Sequence, residues 1–183
     1  MNTWDDLFEL LGPIHDDVQL FARRIARSAA EGDDVFQEAV LRAVQKLGSL
    51  RDRGRFKPWM YSVVVSVHRS RRRSPFWTRW ISSEPPEKLE GLVGDDGATW
   101  VDEHASAQRA TAALSTLEPA QREAIVLFEL HGYSIEEIAE IQRASVAAVK
   151  SRLTRGRDRL RAFYAKLGQP SSINVLTEEV LRG

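Results

Sequence analysis

Apolar residues recur at helical spacing along most of the chain. Trp4, Leu7, Phe8 and Leu11 stand at i, i+3, i+4 and i+7, and Gly12-Pro13 ends that run. Val18, Phe21, Ala22 and Ile25 repeat the pattern. Gly32 reads as a second break and Asp33 as the N-cap of a helix over 34–47, with Phe36, Val40, Ala43, Val44 and Leu47 as its apolar stripe. A basic loop around Gly54 then leads to a helix from Pro58 to about residue 73. Within it SVVVSV (62–67) is β-branched and has strand character. Helix is preferred, because its neighbours are helical and no strand partner is evident.

Residues 74–105 break the periodicity with Pro75, Pro85, Pro86, Gly91, Gly94 and Gly97 and read as a flexible linker. Helical patterning returns over 106–117 and 119–131, with Gly132 as a C-terminal stop. Ser134 and Glu137 form a capping box for a short helix carrying Ile135, Ile138, Ala139 and Ile141. The tight turn Gln142-Arg143-Ala144 leads to Ser145, the N-cap of a long helix from Val146 to about residue 167. The expected fold is all-α: two small helical domains, 1–73 and 106–169, a linker over 74–105 and a tail over 170–183.

Charge changes the picture more than composition does. The 183 residues carry 26 basic and 26 acidic side chains, a net charge of zero. They are segregated: 1–73 holds 13 basic and 10 acidic, 74–105 holds 2 and 7, 106–169 holds 10 and 7. Two mildly basic blocks flank an acidic segment, a distribution compatible with nucleic-acid binding despite the neutral total. No cysteine is present, so the chain holds no disulfide, thiolate metal site or thiol nucleophile. The acidic start, MNTWDDLFELLG, does not read as a secretory signal, and no apolar run reaches membrane-spanning length. A cytoplasmic location is expected.

Helical phase then points to two surfaces. In the last helix, at about 100° per residue, Val146, Val149, Leu153 and Leu160 share one face. The opposite face presents Ala147, Ala148, Ser151, Thr154, Arg155 and Arg159, with Arg152 at its edge. Small residues let a helix approach the floor of the major groove, and arginine bonds guanine or phosphate. Lys150, Arg157 and Arg161 add attraction to the DNA backbone. A short helix, a tight turn and this basic helix make a helix-turn-helix. A basic stretch alone would be read as a solvated face. In the 34–47 helix the outward side holds Asp34, Gln37, Glu38 and Gln45 around an unexpected Leu41, the pattern of a docking surface, although a single exposed leucine is ordinary.

Two stretches, DDVFQEAVLRAVQKL (33–47) and RFKPWMYSVVVSVHRSRRR (55–73), resemble region 2 of bacterial extracytoplasmic-function sigma factors. A third, ALSTLEPAQREAIVLFELHGYSIEEIAEIQRASVAAVKSRLTRGRDRLR (113–161), resembles their region 4. The resemblance implies a promoter-specificity subunit that binds core RNA polymerase and recognises and melts promoter DNA. It places docking on the β′ clamp helices at Asp34, Gln37, Glu38, Leu41, Arg42 and Gln45, with the β flap as a further core-polymerase contact. It places −10 element capture on the loop with Arg51, Arg53, Arg55, Phe56 and Lys57 and on Tyr61, Ser62, Ser66, Arg69 and Arg72 of the next helix. Trp59, with Val63 and Val67, is expected in the core. The −35 element falls to Arg143, Ala147, Ala148, Lys150, Ser151, Arg152, Arg155 and Arg159. An anti-sigma factor is a further implied partner, and the acidic linker would thread toward the polymerase channel.

The chain departs from the family pattern where Ser66 stands for the usual Asn, Ser70 for a frequent Asp, and Gln142-Arg143-Ala144 for a glycine-containing turn. Nothing favours catalysis: His15, His68, His104 and His131 are scattered, and there is no phosphate loop or nucleophile elbow. No cofactor or metal is expected. The alternatives are an operator-binding regulator, which would bind duplex DNA alone and usually as a dimer, and a protein that sequesters polymerase or another regulator.

Overall fold

The computed structural model describes residues 3–73 and 99–168, with the backbone alone over 99–104. Among them every regular element is helical. They fall into two compact units, one of residues 3–73 with Glu140–Gln142 and the other of residues 99–139 with 143–168. The bulk of the expected linker and the tail lie outside the described residues.

The first unit contains α1 (Thr3–Leu11), α2 (His15–Ile25), α3 (Ala29–Lys46) and α4 (Phe56–Arg73). A 3₁₀ turn at Gly12–Ile14, set by Pro13, joins the first two helices. The core is built from Leu7, Leu11, Val18, Phe21, Ile25, Val35, Ala39, Met60, Tyr61, Val64 and Val67, all buried. The 62–67 segment is helical despite its β-branching, because packing outweighs propensity.

The start of α3 differs from expectation. Ser28, not Asp33, is the N-cap: its Oγ accepts from the Glu31 N–H at 3.1 Å, while Glu31 accepts from the Arg27 N–H at 2.8 Å. Gly32 is buried inside the helix. A Cβ there would lie 2.3 Å from the Cα of Arg23, so glycine serves the α2–α3 approach rather than a break. Asp33 is held by Arg23 through two bonds of 2.7 and 3.0 Å and by Gln19 at 2.9 Å.

The second unit contains α5 (Thr99–Ser115), α6 (Pro119–Ile125), a wide π turn (Val126–Leu130), α7 (Ile135–Gln142) and α8 (Val146–Lys166). Helix α5 begins earlier than the expected 106, since no proline or glycine follows Gly97 until Pro119. The predicted 119–131 helix is divided by the π turn. Gly132, at φ 68°, closes it, and the Tyr133 N–H reaches the Leu127 carbonyl at 3.1 Å. The capping box forms as expected: Ser134 N–H to Glu137 at 2.8 Å, and Glu137 N–H to Ser134 Oγ at 3.2 Å. Ser145 Oγ caps α8 through the Ala148 N–H at 3.2 Å. In α8, Gly156 faces α6, where a Cβ would meet Ile125 at 2.9 Å.

Gly32→Ala is expected to cost about 2 kcal/mol of stability, because forced separation of α2 and α3 outweighs a helix-propensity gain of about 1 kcal/mol. An unchanged urea midpoint for this variant would refute the close-approach role. The Arg23 guanidinium holds the Asp33 carboxyl below its ordinary value of 3.8. That contribution is present above the ordinary value and is lost as pH falls through the depressed one. Acid unfolding should therefore steepen below about pH 4, and Asp33→Asn should flatten that part of the pH–stability curve. Identical curves for the two proteins would rule the pair out as a contributor.

Candidate nucleic-acid and protein interfaces

The outward side of α3 carries the six residues expected at a docking face. Asp34, Gln37, Leu41 and Gln45 are exposed, and Glu38 and Arg42 are half-buried. Leu41 is 54% exposed. Arg42 donates to Glu38 at 2.6 Å, and Arg71 reaches from α4 to Asp34 at 3.2 Å and Glu38 at 3.7 Å. Sequence reading missed Arg71, because the crossing of α3 and α4 that brings it there has no local signature. These pairs cancel much of the face's charge and leave Leu41 as its apolar feature.

Beside it lies an apolar groove of about 350 Å³ lined by Phe8, Leu11, His15, Phe36, Gln37, Val40 and Leu41. The α1 stripe is only half buried: Leu7 and Leu11 enter the core, whereas Phe8 is 59% exposed and stacks on Trp4 at 5.7 Å.

The loop before α4 is organised by Asp52, whose Oδ1 accepts from the Gly54 N–H at 2.8 Å. Arg51, Arg53, Arg55 and Lys57 are exposed on it, and Arg53 and Lys57 approach Asp6 and Asp17 at 3.4 and 3.5 Å. Two expected DNA-facing residues are not on the surface. Phe56 is buried and begins α4, and Tyr61 is buried against Phe21 with ring centroids 4.8 Å apart. Val65 is buried as well. The cause is that α2 and α3 pack on α4 from two sides, so its buried arc is wide and its exposed strip narrow. The strip runs through Trp59, Ser62, Ser66 and Arg69, spaced as one helical face. Trp59 is half-exposed, which corrects its assignment to the core. It stays tied to it through Phe56, ring centroids 5.7 Å apart. Ser62 donates to the Trp59 carbonyl at 2.7 Å, Ser66 is exposed, and Arg69 and Arg72 are half-buried.

The α7–turn–α8 segment has helix-turn-helix form. The Ala144 N–H bonds the Ala139 carbonyl at 2.9 Å, closing a Schellman turn around Arg143. Arg143 takes φ 49°, the left-handed region that costs a side-chain-bearing residue about 1–2 kcal/mol. Along α8, Ala147 and Thr154 are exposed and Ala148, Ser151 and Arg152 half-buried, while Val149, Leu153 and Leu160 are buried. Val146 departs from its expected core position and is 36% exposed, because it stands at the first turn, beyond the packed part of the helix. The cations separate into two groups. Arg157 is bonded to Glu129 at 2.7 Å and lies over the Phe128 ring, Arg161 is bonded to Asp158 at 2.7 Å, and Arg159 to Glu118 and the Thr116 carbonyl at 3.3 and 3.2 Å. Arg159, expected at DNA, is thus engaged within its own unit, as are Arg157 and Arg161. Arg143, Lys150 and Arg155 are exposed, with no side-chain hydrogen bond or ion pair among the described residues. Lys150 and Arg155 flank the small strip Ala147, Ser151 and Thr154 on opposite sides of the helix.

Comparison with known proteins gives this geometry a context. The family model for Sigma-70 region 2 matches residues 12–78, and that for Sigma-70 region 4 matches 107–160. A sigma factor of Mycobacterium tuberculosis, SigM, is 31% identical over 147 residues, which cover 80% of this chain and 70% of that protein. The chain belongs to the extracytoplasmic-function RNA polymerase sigma factors. The sigma factor CarQ of Myxococcus xanthus is 28% identical over 167 residues, covering 91% of each chain. This sigma factor is a promoter-specificity subunit whose partners are core RNA polymerase and promoter DNA. Membership sets aside the operator-binding regulator. The fold is shared with Bartonella quintana RpoE, solved in complex with the anti-sigma factor NepR (TM-score 0.70, 22% identity, 87% of this chain and 97% of that one). It is shared as well with CnrH, solved with the cytosolic domain of CnrY (TM-score 0.60, 22% identity, 87% and 88%). Among the described residues there is no cluster able to hold a metal ion and no helix long and apolar enough to cross a membrane.

Proposed function

We propose how this sigma factor divides the work of initiation among its surfaces. The outward face of α3, with Asp34, Gln37, Glu38, Leu41, Arg42 and Gln45, docks on the β′ clamp helices of core polymerase. Leu41 supplies the buried apolar contact and the polar residues around it fix register. The loop cations Arg51, Arg53, Arg55 and Lys57 hold strand phosphates of the −10 element. The α4 strip, with Trp59 as the available aromatic and Ser62, Ser66, Arg69 and Arg72 beside it, receives an unstacked base. Helix α8 enters the major groove of the −35 element with Ala147, Ser151 and Thr154 toward the floor and Lys150 and Arg155 toward the flanking phosphates.

The observation that carries this reading is the small-residue strip of α8 bounded by cations that the fold does not use. Opening of DNA is driven by binding energy, with no nucleotide hydrolysed by this chain. The domains proposed to act are 1–73 and 106–169, working in the cytoplasm. An anti-sigma factor restrains the protein, a reading supported by the similar fold of Bartonella quintana RpoE, solved in complex with the anti-sigma factor NepR.

Run-off transcription with purified core polymerase, on promoter fragments from the source genome, tests the whole scheme. Initiation at particular start sites should depend on the added protein. Leu41→Asp is expected to reduce holoenzyme formation at least tenfold, since it buries an unpaired carboxylate in the contact. Holoenzyme of normal affinity from that variant would remove α3 as the docking face. Arg155→Ala is expected to lower transcription severalfold from −35-dependent promoters and little elsewhere. Equal transcription by the variant and the native protein at every promoter would displace α8 from the −35 contact.

A further inference from the structure

Three described residues adopt left-handed backbone: Gly132, Gly168 and Arg143. Two are glycines, the residue for which this conformation carries no steric cost. Their positions end helices, and the backbone alone determines the choice. The third is the centre of the helix-turn-helix, where the same Schellman bond, Ala144 N–H to Ala139 carbonyl, is made around an arginine. Arginine brings a Cβ into the strained region and no compensation within the fold: its side chain makes no hydrogen bond or ion pair among the described residues. A strained backbone retained without an internal contact points to a role outside the fold.

The surroundings say which role. Helix α7 carries Glu136 and Glu137, both exposed and neither ion-paired among the described residues, on the element that leads into the turn. A glycine at 143 would leave that approach acidic and repulsive to DNA. Arg143 stands two residues before the Ser145 cap, outside the α8 strip of Ala147, Ser151 and Thr154. A side chain on the turn is off the helical face that meets base edges, so its natural target is the phosphate backbone. A planar guanidinium suits a phosphate through paired hydrogen bonds.

We propose that Arg143 is a sequence-independent phosphate anchor of the −35 contact, kept in a left-handed turn position at the expense of fold stability. The proposal rests on the assignment of α8 to the −35 element. It makes stability and promoter binding move in opposite directions on one substitution, which a merely structural residue would not do.

The test uses the full chain in reconstituted holoenzyme with Arg143→Gly, Arg143→Asn and Arg143→Lys. Glycine relieves the strain, asparagine tolerates the left-handed region, and lysine keeps both strain and charge. Calorimetry should show Arg143→Gly unfolding about 3 °C higher than the native protein. Promoter binding by Arg143→Gly and Arg143→Asn should fall about fivefold on every −35 sequence alike, with the salt-dependence slope reduced by about one. Arg143→Lys should retain most of the binding and none of the added stability. The proposal is overturned by unchanged binding and salt slope in the glycine variant. It is equally overturned by a changed ranking of −35 sequences, which would mean base contact, or by a lower unfolding temperature, which would mean a structural side chain. If native holoenzyme ignores the −35 sequence, the α8 assignment itself falls and Arg143's role with it, an outcome read before any variant is made.

Discussion

At Gly32 a single methyl group would lie 2.3 Å from the Cα of Arg23, and much of the first unit follows from that contact. Two helices that meet at backbone distance have little freedom to slide or rotate, because interiors are close-packed and tolerate little rearrangement. The rotation of α3 about its axis is then set, and with it which residues it turns to solvent. Val35, Ala39 and Ala43 go inward, and Leu41 goes outward with its polar neighbours. Ser28 caps the helix at the start, and the Arg23–Asp33 pair ties α2 to α3 one residue beyond the glycine. The second unit repeats the device at Gly156, where a Cβ would meet the Ile125 side chain at 2.9 Å. That contact orients α8, and so the strip of small residues on its far side.

How far the sequence shows this depends on how local each signal is. The Ser134–Glu137 box and the Ser145 cap are interactions within one turn, and both were legible. The Ser28–Glu31 pair is just as local, but Gly32-Asp33 reads more loudly as a break, since a glycine's close approach depends on a partner helix far along the chain. Phase alone placed Leu41 and its polar neighbours on the exposed side of α3. It failed on α4, where α2 and α3 cover two sides and draw in Phe56, Tyr61 and Val65. The more accessible residue of the Phe56–Trp59 pair is consequently Trp59, half-exposed, the one periodicity assigned to the core.

Cation counts were misleading in the same way. The second unit is basic in sequence, yet Arg157, Arg159 and Arg161 are held by Glu129, Glu118 and Asp158. The Arg159 and Arg161 pairs are exposed and add little to stability, whereas the Arg157–Glu129 pair is half-buried. Their larger consequence is electrostatic: they remove three charges from the surface that would otherwise attract any polyanion. Of the cations near the small strip of α8, Arg143, Lys150 and Arg155 remain exposed.

Weak surfaces of this kind suit a subunit rather than a freestanding DNA-binding protein. Three free cations around the α8 strip mean a shallow salt dependence and modest non-specific affinity for that surface. On the proposed reading, the floor-facing residues of α8 are alanine, serine and threonine, which offer few bidentate base contacts. Neither helical unit then holds duplex DNA well alone. Joined in one chain and mounted on polymerase, each raises the effective concentration of the other at the promoter, and the product of two modest affinities becomes a selective one. On that reading, weak binding by the isolated protein is what would confine the activity to holoenzyme. A stronger basic face on α8 would act against that confinement by sequestering the free subunit on DNA at random.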